Sequence, residues 1–237
     1  MKGLQNKASS VDVLVAAAHE LKAPLVLMRH LVQTLGGHTV SPEEQRRCIE
    51  RLAFTTDRMI RLTQHLTVSY RLGTSHNLHF DLVPINASLV CEQALHEMTP
   101  YAAAHGQNLQ FESKKKQLVL AEQDILHDIL INLIDNAIRH NTNGDNVVVG
   151  TLGRKDHVRL QVHDNGHGVR AAELSALSEN IGSRPQLLST RAGTSGLGLY
   201  IVSQLAQAMG GGLGLGRARQ GTTFFVDLMR SRQLQLL

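Results

Sequence analysis

Ala18–Pro24 reads Ala-His-Glu-Leu-Lys-Ala-Pro and lies inside a long apolar-periodic run. His19 is followed at once by Glu20, so a nucleophile stands beside a carboxylate. Imidazole has an unperturbed pKa of about 6.5 and is largely neutral at physiological pH. It therefore attacks without the activation that a hydroxyl requires. Pro24 has no backbone donor and crowds the carbonyl of Glu20 one turn earlier, which predicts a bend after the pair. Around this stretch apolar residues recur at Val11, Leu14, Ala18, Leu21, Leu25, Met28, Val32 and Leu35, in steps alternating between three and four. That is the seam of a helix packing lengthwise on others. His19, one position past Ala18, falls at the edge of the seam and open to solvent.

Gly36-Gly37 ends this helix. Ser41-Pro42-Glu43-Glu44 then supplies an N-cap, a proline at the first helical position and a glutamate at the capping-box position. The second helix repeats the seam with Ile49, Leu52, Thr56, Met59, Thr63, Leu66 and Tyr70. A two-helix hairpin has no full core of its own, so a homodimer is expected, two hairpins making a four-helix bundle. The alternative is a helix pair packed on the rest of its own chain.

Gly73–Asn77 reads as a linker, giving a front domain over 1–72 and a back domain over 78–237. Beyond the linker, strands are expected at Leu78–Leu82, Leu109–Glu112, Leu118–Leu120, Asn146–Leu152, Val158–Asp164, Leu213–Arg217 and Thr222–Leu228. Helices are expected at Asn86–Ala104, Glu122–His140 and Leu197–Met209, the first interrupted before Pro100. This mixture predicts an α+β fold, with a sandwich of helices on one sheet face.

Composition narrows the function. The net charge is +4 and aromatic residues make up 3% of the chain, so base-stacking nucleic-acid binding is not expected. Cys48 and Cys91 stand in no metal-like spacing, which favours a reducing, cytoplasmic setting. No apolar run approaches the roughly eighteen residues of a membrane helix, and no secretory leader pattern is expected. Sixteen of the 20 glycines follow residue 100, separating a helical front from a loop-rich back.

Three signals in the back half carry chemistry. Asn132, Asn136, Arg139 and His140 share one face of the Glu122–His140 helix, opposite Ile129, Leu130, Leu133 and Ala137. Asparagine is a mediocre helix former, so two of them a turn apart need a reason. The amide oxygen of Asn136 suits Mg²⁺, a hard cation that keeps several waters, and Arg139 and His140 suit phosphate oxygens. Asp164, in Asp164-Asn165-Gly166-His167-Gly168, has the strand parity of Val158, Leu160 and Val162. Its carboxylate therefore points to the apolar sheet face, where it needs a partner. An adenine amino group supplies one, and Gly166 and Gly168 let a base approach the backbone. The other reading is an Asn-Gly hairpin turn. Gly193-Thr194-Ser195-Gly196-Leu197-Gly198-Leu199 runs into an apolar helix, a setting that suits phosphate. It lacks the lysine of a P-loop and does not follow a strand in a βαβ unit. Gly221-Thr222-Thr223-Phe224 opens the last strand and is placed to pack behind the nucleotide loop.

In this order the segments resemble the boxes of bacterial sensor histidine kinases. His19–Pro24 is similar to the H box, Asn132–Ala137 to the N box, and Asp164–Gly168, Gly193–Leu199 and Gly221–Phe224 to three glycine boxes. The resemblance runs from about residue 10 to residue 230. It implies a dimerisation and histidine-phosphotransfer hairpin followed by an ATP-binding α/β sandwich of the Bergerat (GHKL) type. It also implies ATP and Mg²⁺, autophosphorylation of His19, and transfer to an aspartate of a response regulator receiver domain. Glu20 then fixes the imidazole tautomer. The sensor is expected in a separate protein or upstream of this sequence.

Four departures refine the expectation. Ala23 stands where the family often has Thr or Asn to orient water, so weak phosphatase activity is expected. Asn132 stands where ATP-hydrolysing relatives tend to carry Glu, and an amide is no general base. No phenylalanine pair lies between Val169 and Arg191, and Arg219 replaces a common glycine. Arg184 and Arg191 are given no role. The rival readings are a catalytically quiet scaffold or histidine phosphotransfer protein, and a GHKL serine kinase for which His19 has no purpose. Whether phosphoryl transfer runs within or between subunits is left open.

Overall fold

The computed structural model describes residues 10–37, 40–74, 80–113, 115–141, 146–166, 168, 181–182, 197–216, 218 and 220–231. They form two compact units, a helical hairpin and a unit of sheets and helices.

The hairpin consists of α1 (Ser10–Leu35) and α2 (Pro42–Thr74). Ser41 starts α2 as its spacing predicts: its Oγ accepts the Glu44 N–H at 3.2 Å, and its carbonyl accepts that of Gln45. Pro24 lies inside α1, which continues for eleven residues beyond it to Leu35. α2 runs on through Gly73 and Thr74, so the expected linker is helical in its first two residues; Ser75–Asn77 lies outside the described residues. Among the described residues of the hairpin the buried positions are Ala16, Ala17, Pro24, Leu31, Cys48 and Thr55, all but Ala16 one step off the apolar seams. Leu14, Leu25, Val32 and Ile49 of those seams are each more than half exposed.

The second unit is built on a five-stranded sheet of order β2-β4-β5-β7-β6. Its strands are β2 (Asn108–Glu112), β4 (Asn146–Gly153), β5 (His157–Asp164), β6 (Gly212–Gly216) and β7 (Thr222–Met229). β2 runs parallel to β4 and the other pairs are antiparallel. A separate antiparallel pair joins β1 (Val83–Asn86) to β3 (Leu118–Ala121). The first strand thus begins after the expected Leu78–Leu82. Phe80–Leu82 is irregular and Leu78 lies outside the described residues. Pairing settles the start, because Ile85 opposite Val119 is buried while Leu82 is 37% exposed.

Helices α3 (Ala87–Ala104), α4 (Gln123–His140) and α5 (Leu197–Ala208) complete the unit. Asn86 caps α3 by accepting the Ser88 N–H. The helix is continuous through Pro100, which lies on its exposed side. α4 buries Leu126, Ile129, Leu130, Leu133 and Ile134 completely, and these meet fully buried Val147, Val149, Val158 and Leu160 of the sheet's apolar face in one core. Both cysteines are free and buried. Burial, and then the neighbouring Glu92 carboxylate, pushes the Cys91 thiol up to about 12. Among the described residues no helix is long and apolar enough to cross a membrane.

Candidate nucleotide site and exposed histidine

β5 alternates strictly. His157, Arg159, Gln161 and His163 face outward in part, whereas Val158, Leu160, Val162 and Asp164 are buried. Asp164 is 3% exposed and stands in register with Val147 on β4 and Thr222 on β7. Its Oδ1 accepts the Gly166 N–H at 3.0 Å, which draws the chain into a tight turn. Thr222 beside it is 4% exposed.

Glycine is required behind this turn. Gly221 has φ +75°, and a Cβ there would overlap the Asp164 carbonyl. Gly168 has φ +70°, and its Cβ would come 2.6 Å from the Gly221 carbonyl oxygen. The two loops therefore lie backbone to backbone, in conformations that L side chains avoid. Gly221 was read from sequence as the opening of a strand; its contact with Asp164 emerges only from the register.

On α4, Asn132, Asn136, Arg139 and His140 are half-buried on the face the spacing predicts. The Asn132 side-chain N–H donates to the Asp128 carbonyl at 3.0 Å. Arg139 lies 3.9 Å from Asp135. A Cβ on Gly198 would come 3.9 Å from Asn132 Oδ1, so the first turn of α5 borders this face. Leu197 and Leu199 are buried. Gly193, Thr194, Ser195 and Gly196 lie outside the described residues, as do His167, Arg184, Arg191 and Arg219.

Sequence reasoning missed three side chains that hold this region together. Gln107 Nε2 donates to the carbonyls of Ile138 at 2.9 Å and Asn141 at 3.2 Å, taking up acceptors left open at the end of α4. Asn141 Nδ2 donates to the Asn146 carbonyl at 3.1 Å and to Asn165 Oδ1 at 3.4 Å. Asn165 Oδ1 also accepts the Asn146 N–H at 3.2 Å. The available signal was the polar Asn141 directly after the amphipathic helix, where a capping residue is expected. Gly182, at φ +68° against Ser203 and the Leu199 carbonyl, carried no signal in its neighbours.

In the hairpin, His19 is exposed. Glu20, beside it, lies 3.5 Å from Arg58 of α2, with side chains 14% and 29% exposed. The carboxylate assigned to the imidazole is thus also engaged across the hairpin.

The buried Asp164, the α4 amide face and the paired glycine turns all fall within one stretch of the chain that matches a known family. Residues 121–232 match the family of histidine kinase-, DNA gyrase B-, and HSP90-like ATPases, and this part of the chain is a domain of that family. Over most of its length the chain is similar to sensor histidine kinases. It is 30% identical over 215 residues to the probable sensor histidine kinase TcrY of Mycobacterium tuberculosis, covering 90% of this chain and 44% of that protein. It is 26% identical over 213 residues to the sensor histidine kinase YclK of Bacillus subtilis, covering 89% of this chain and 45% of that one. The chain thus spans less than half the length of these two curated relatives. Its fold matches full-length ShkA, solved in complex with AMPPNP, with a TM-score of 0.62 at 22% identity, over 97% of this chain and 48% of that one.

Proposed function

We propose that the chain transfers the γ-phosphoryl group of ATP to His19 and hands it on to an aspartate of a response regulator receiver domain. The observation that carries this reading is Asp164, a carboxylate 3% exposed at the end of β5 and flanked by the paired glycine turns at Gly168 and Gly221, where it is placed to receive an adenine amine. Asn132, Asn136, Arg139 and His140 line the adjoining helix, and Gly193–Leu199 leads into α5. A nitrogen of His19 attacks the γ-phosphorus, and the bond from phosphorus to the bridging oxygen breaks as ADP leaves. Arg139 and the glycine loop offset the charge that spreads over the phosphoryl oxygens. Glu20, 3.5 Å from Arg58, accepts a hydrogen bond from the imidazole N–H and fixes the tautomer, leaving the other ring nitrogen free to attack.

The donors present fit Mg²⁺. Asn136, half-buried on the amide face of α4, offers one hard amide oxygen and would hold the ion there. Held by Asn136, the ion would supply positive charge to the phosphate oxygens. Asn132 is no general base, so the γ-phosphate is directed to His19 rather than to water. Ala23 holds no water for dephosphorylating the receiver, and phosphatase activity is weak.

The partner implied for residues 1–72 is a second copy of the hairpin. Leu14 is 69% exposed, Leu25 53%, Val32 58% and Ile49 52%, and a four-helix bundle covers such a stripe. Residues 73–77 join this domain to the nucleotide domain at 78–237, and the chain works in the cytoplasm.

The test is incubation with γ-labelled ATP and Mg²⁺. Label should appear on the protein, be lost in acid, survive base, and vanish in His19→Gln. Acid-stable label on a partner protein would instead establish a serine kinase, and nucleotide binding without label would establish a quiet scaffold.

A further inference from the structure

Gly166 leaves one side of the turn after β5 without a side chain, and two acceptor oxygens converge there. A Cβ on Gly166 would come 3.0 Å from Asp164 Oδ1 and 3.1 Å from Asn141 Oδ1. Asn141 is 1% exposed, and among the described residues its Oδ1 has no hydrogen-bond partner. Turning the amide over brings no relief. Nδ2 faces the Asn146 carbonyl and Asn165 Oδ1, and both are acceptors that would then confront an oxygen. A buried oxygen held in this way calls for a donor from outside the protein.

The geometry points to Asn141 as a specificity-determining residue whose Oδ1 accepts the second hydrogen of the purine's exocyclic amine, directly or through one bridging water. This rests on the reading of the site as one for adenine nucleotides. Asp164 takes one hydrogen of the amine and Asn141 the other, so both hydrogens are read. A guanine carries an oxygen at the same ring position, and two acceptors facing it reject it. Asn141 also serves as the helix-end latch. Its functional part is therefore tested with nucleotides that differ only in the amine.

The full chain is titrated with ATP and with purine riboside triphosphate, which lacks the amine. Asn141→Ala should weaken ATP binding roughly tenfold, the scale of one lost hydrogen bond. Binding of the amine-free nucleotide should weaken only by the smaller amount that loss of the latch causes, the loss that Asn165→Ala measures. Asn165→Ala removes the neighbouring latch but no acceptor of the amine, and it should weaken both nucleotides alike. If Asn141→Ala does not fold, Asn141→Ser takes its place, since its shorter side chain keeps a polar helix end while withdrawing the oxygen. Equal losses for the two nucleotides in the Asn141 variant would overturn the proposal and leave the ATP site standing. Failure of the unaltered chain to bind ATP would overturn both.

Discussion

In the sheet unit Leu126, Ile129, Leu133 and Leu160 are wholly shut away from solvent, whereas in the hairpin Leu14 is 69% exposed and Val32 58%. Among its described residues the hairpin buries Ala16, Ala17, Pro24, Leu31, Cys48 and Thr55 instead, mostly small residues that let α1 and α2 approach without enclosing much apolar surface. The ion pair of Glu20 with Arg58 crosses the same interface. One unit has a finished core within a single chain, and the other leaves Leu14, Leu25, Val32 and Ile49 more than half exposed. A nucleotide domain must hold its site rigid whatever its neighbours do. On the reading proposed above, the hairpin takes its stability from association.

The strongest way to break this contrast is to remove a core side chain from each unit. Leu160→Ala, in the fully buried face of β5, should cost about 2–5 kcal/mol of stability and lower the urea midpoint of the sheet unit. Leu25→Ala should leave that midpoint unchanged, because Leu25 is 53% exposed in one chain. Its effect should fall on association. Two copies of the change in a symmetric bundle remove about 3 kcal/mol, on the order of a hundredfold in the dissociation constant measured by sedimentation. If Leu25→Ala unfolds the hairpin without altering association, the stripe is an internal core and the contrast fails.

The legibility of the sequence follows the same division. In the sheet unit, period-two and period-three-to-four patterns place β5 and α4 within a residue or two, and the parity of Asp164 with Val158, Leu160 and Val162 matches its burial. Local pattern suffices there because each element has one apolar face and one core to meet. The first strand was missed because Leu82 and Val83 carry similar side chains, and only the pairing of β1 with β3 separates them. In the hairpin the apolar seam was the expected packing face, whereas Ala17 and Thr55, buried within one chain, lie one position away from it. Small and polar residues give no periodic signal. In the site, the long-range contacts were the illegible part. Gly221 against the Asp164 carbonyl and Gln107 against the end of α4 join segments 57 and 31 residues apart in sequence, and no local rule links them.

The smallest expected effect concerns how α3 and α4 of the sheet unit begin. Asn86 caps α3 with its side chain, whereas Glu122 at the same position of α4 makes no side-chain cap bond. The Glu122 carboxyl is raised above its ordinary 4.5 first by burial, then by the carboxylates of Asp124 and Asp81. A raised acid binds its proton more tightly when folded. Below the ordinary value both states are protonated and nothing is lost. As pH climbs through the ordinary and then the raised value, the folded state forfeits stability, and the deficit persists at neutral pH. Glu122→Gln should therefore raise the urea midpoint at neutral pH and leave it unchanged at about pH 3. The partial positive charge at the start of α4 acts in the opposite sense and favours a carboxylate there. If Glu122→Gln lowers the midpoint at neutral pH, that attraction outweighs the two neighbouring carboxylates, and α4 begins as securely as α3 without a side-chain cap.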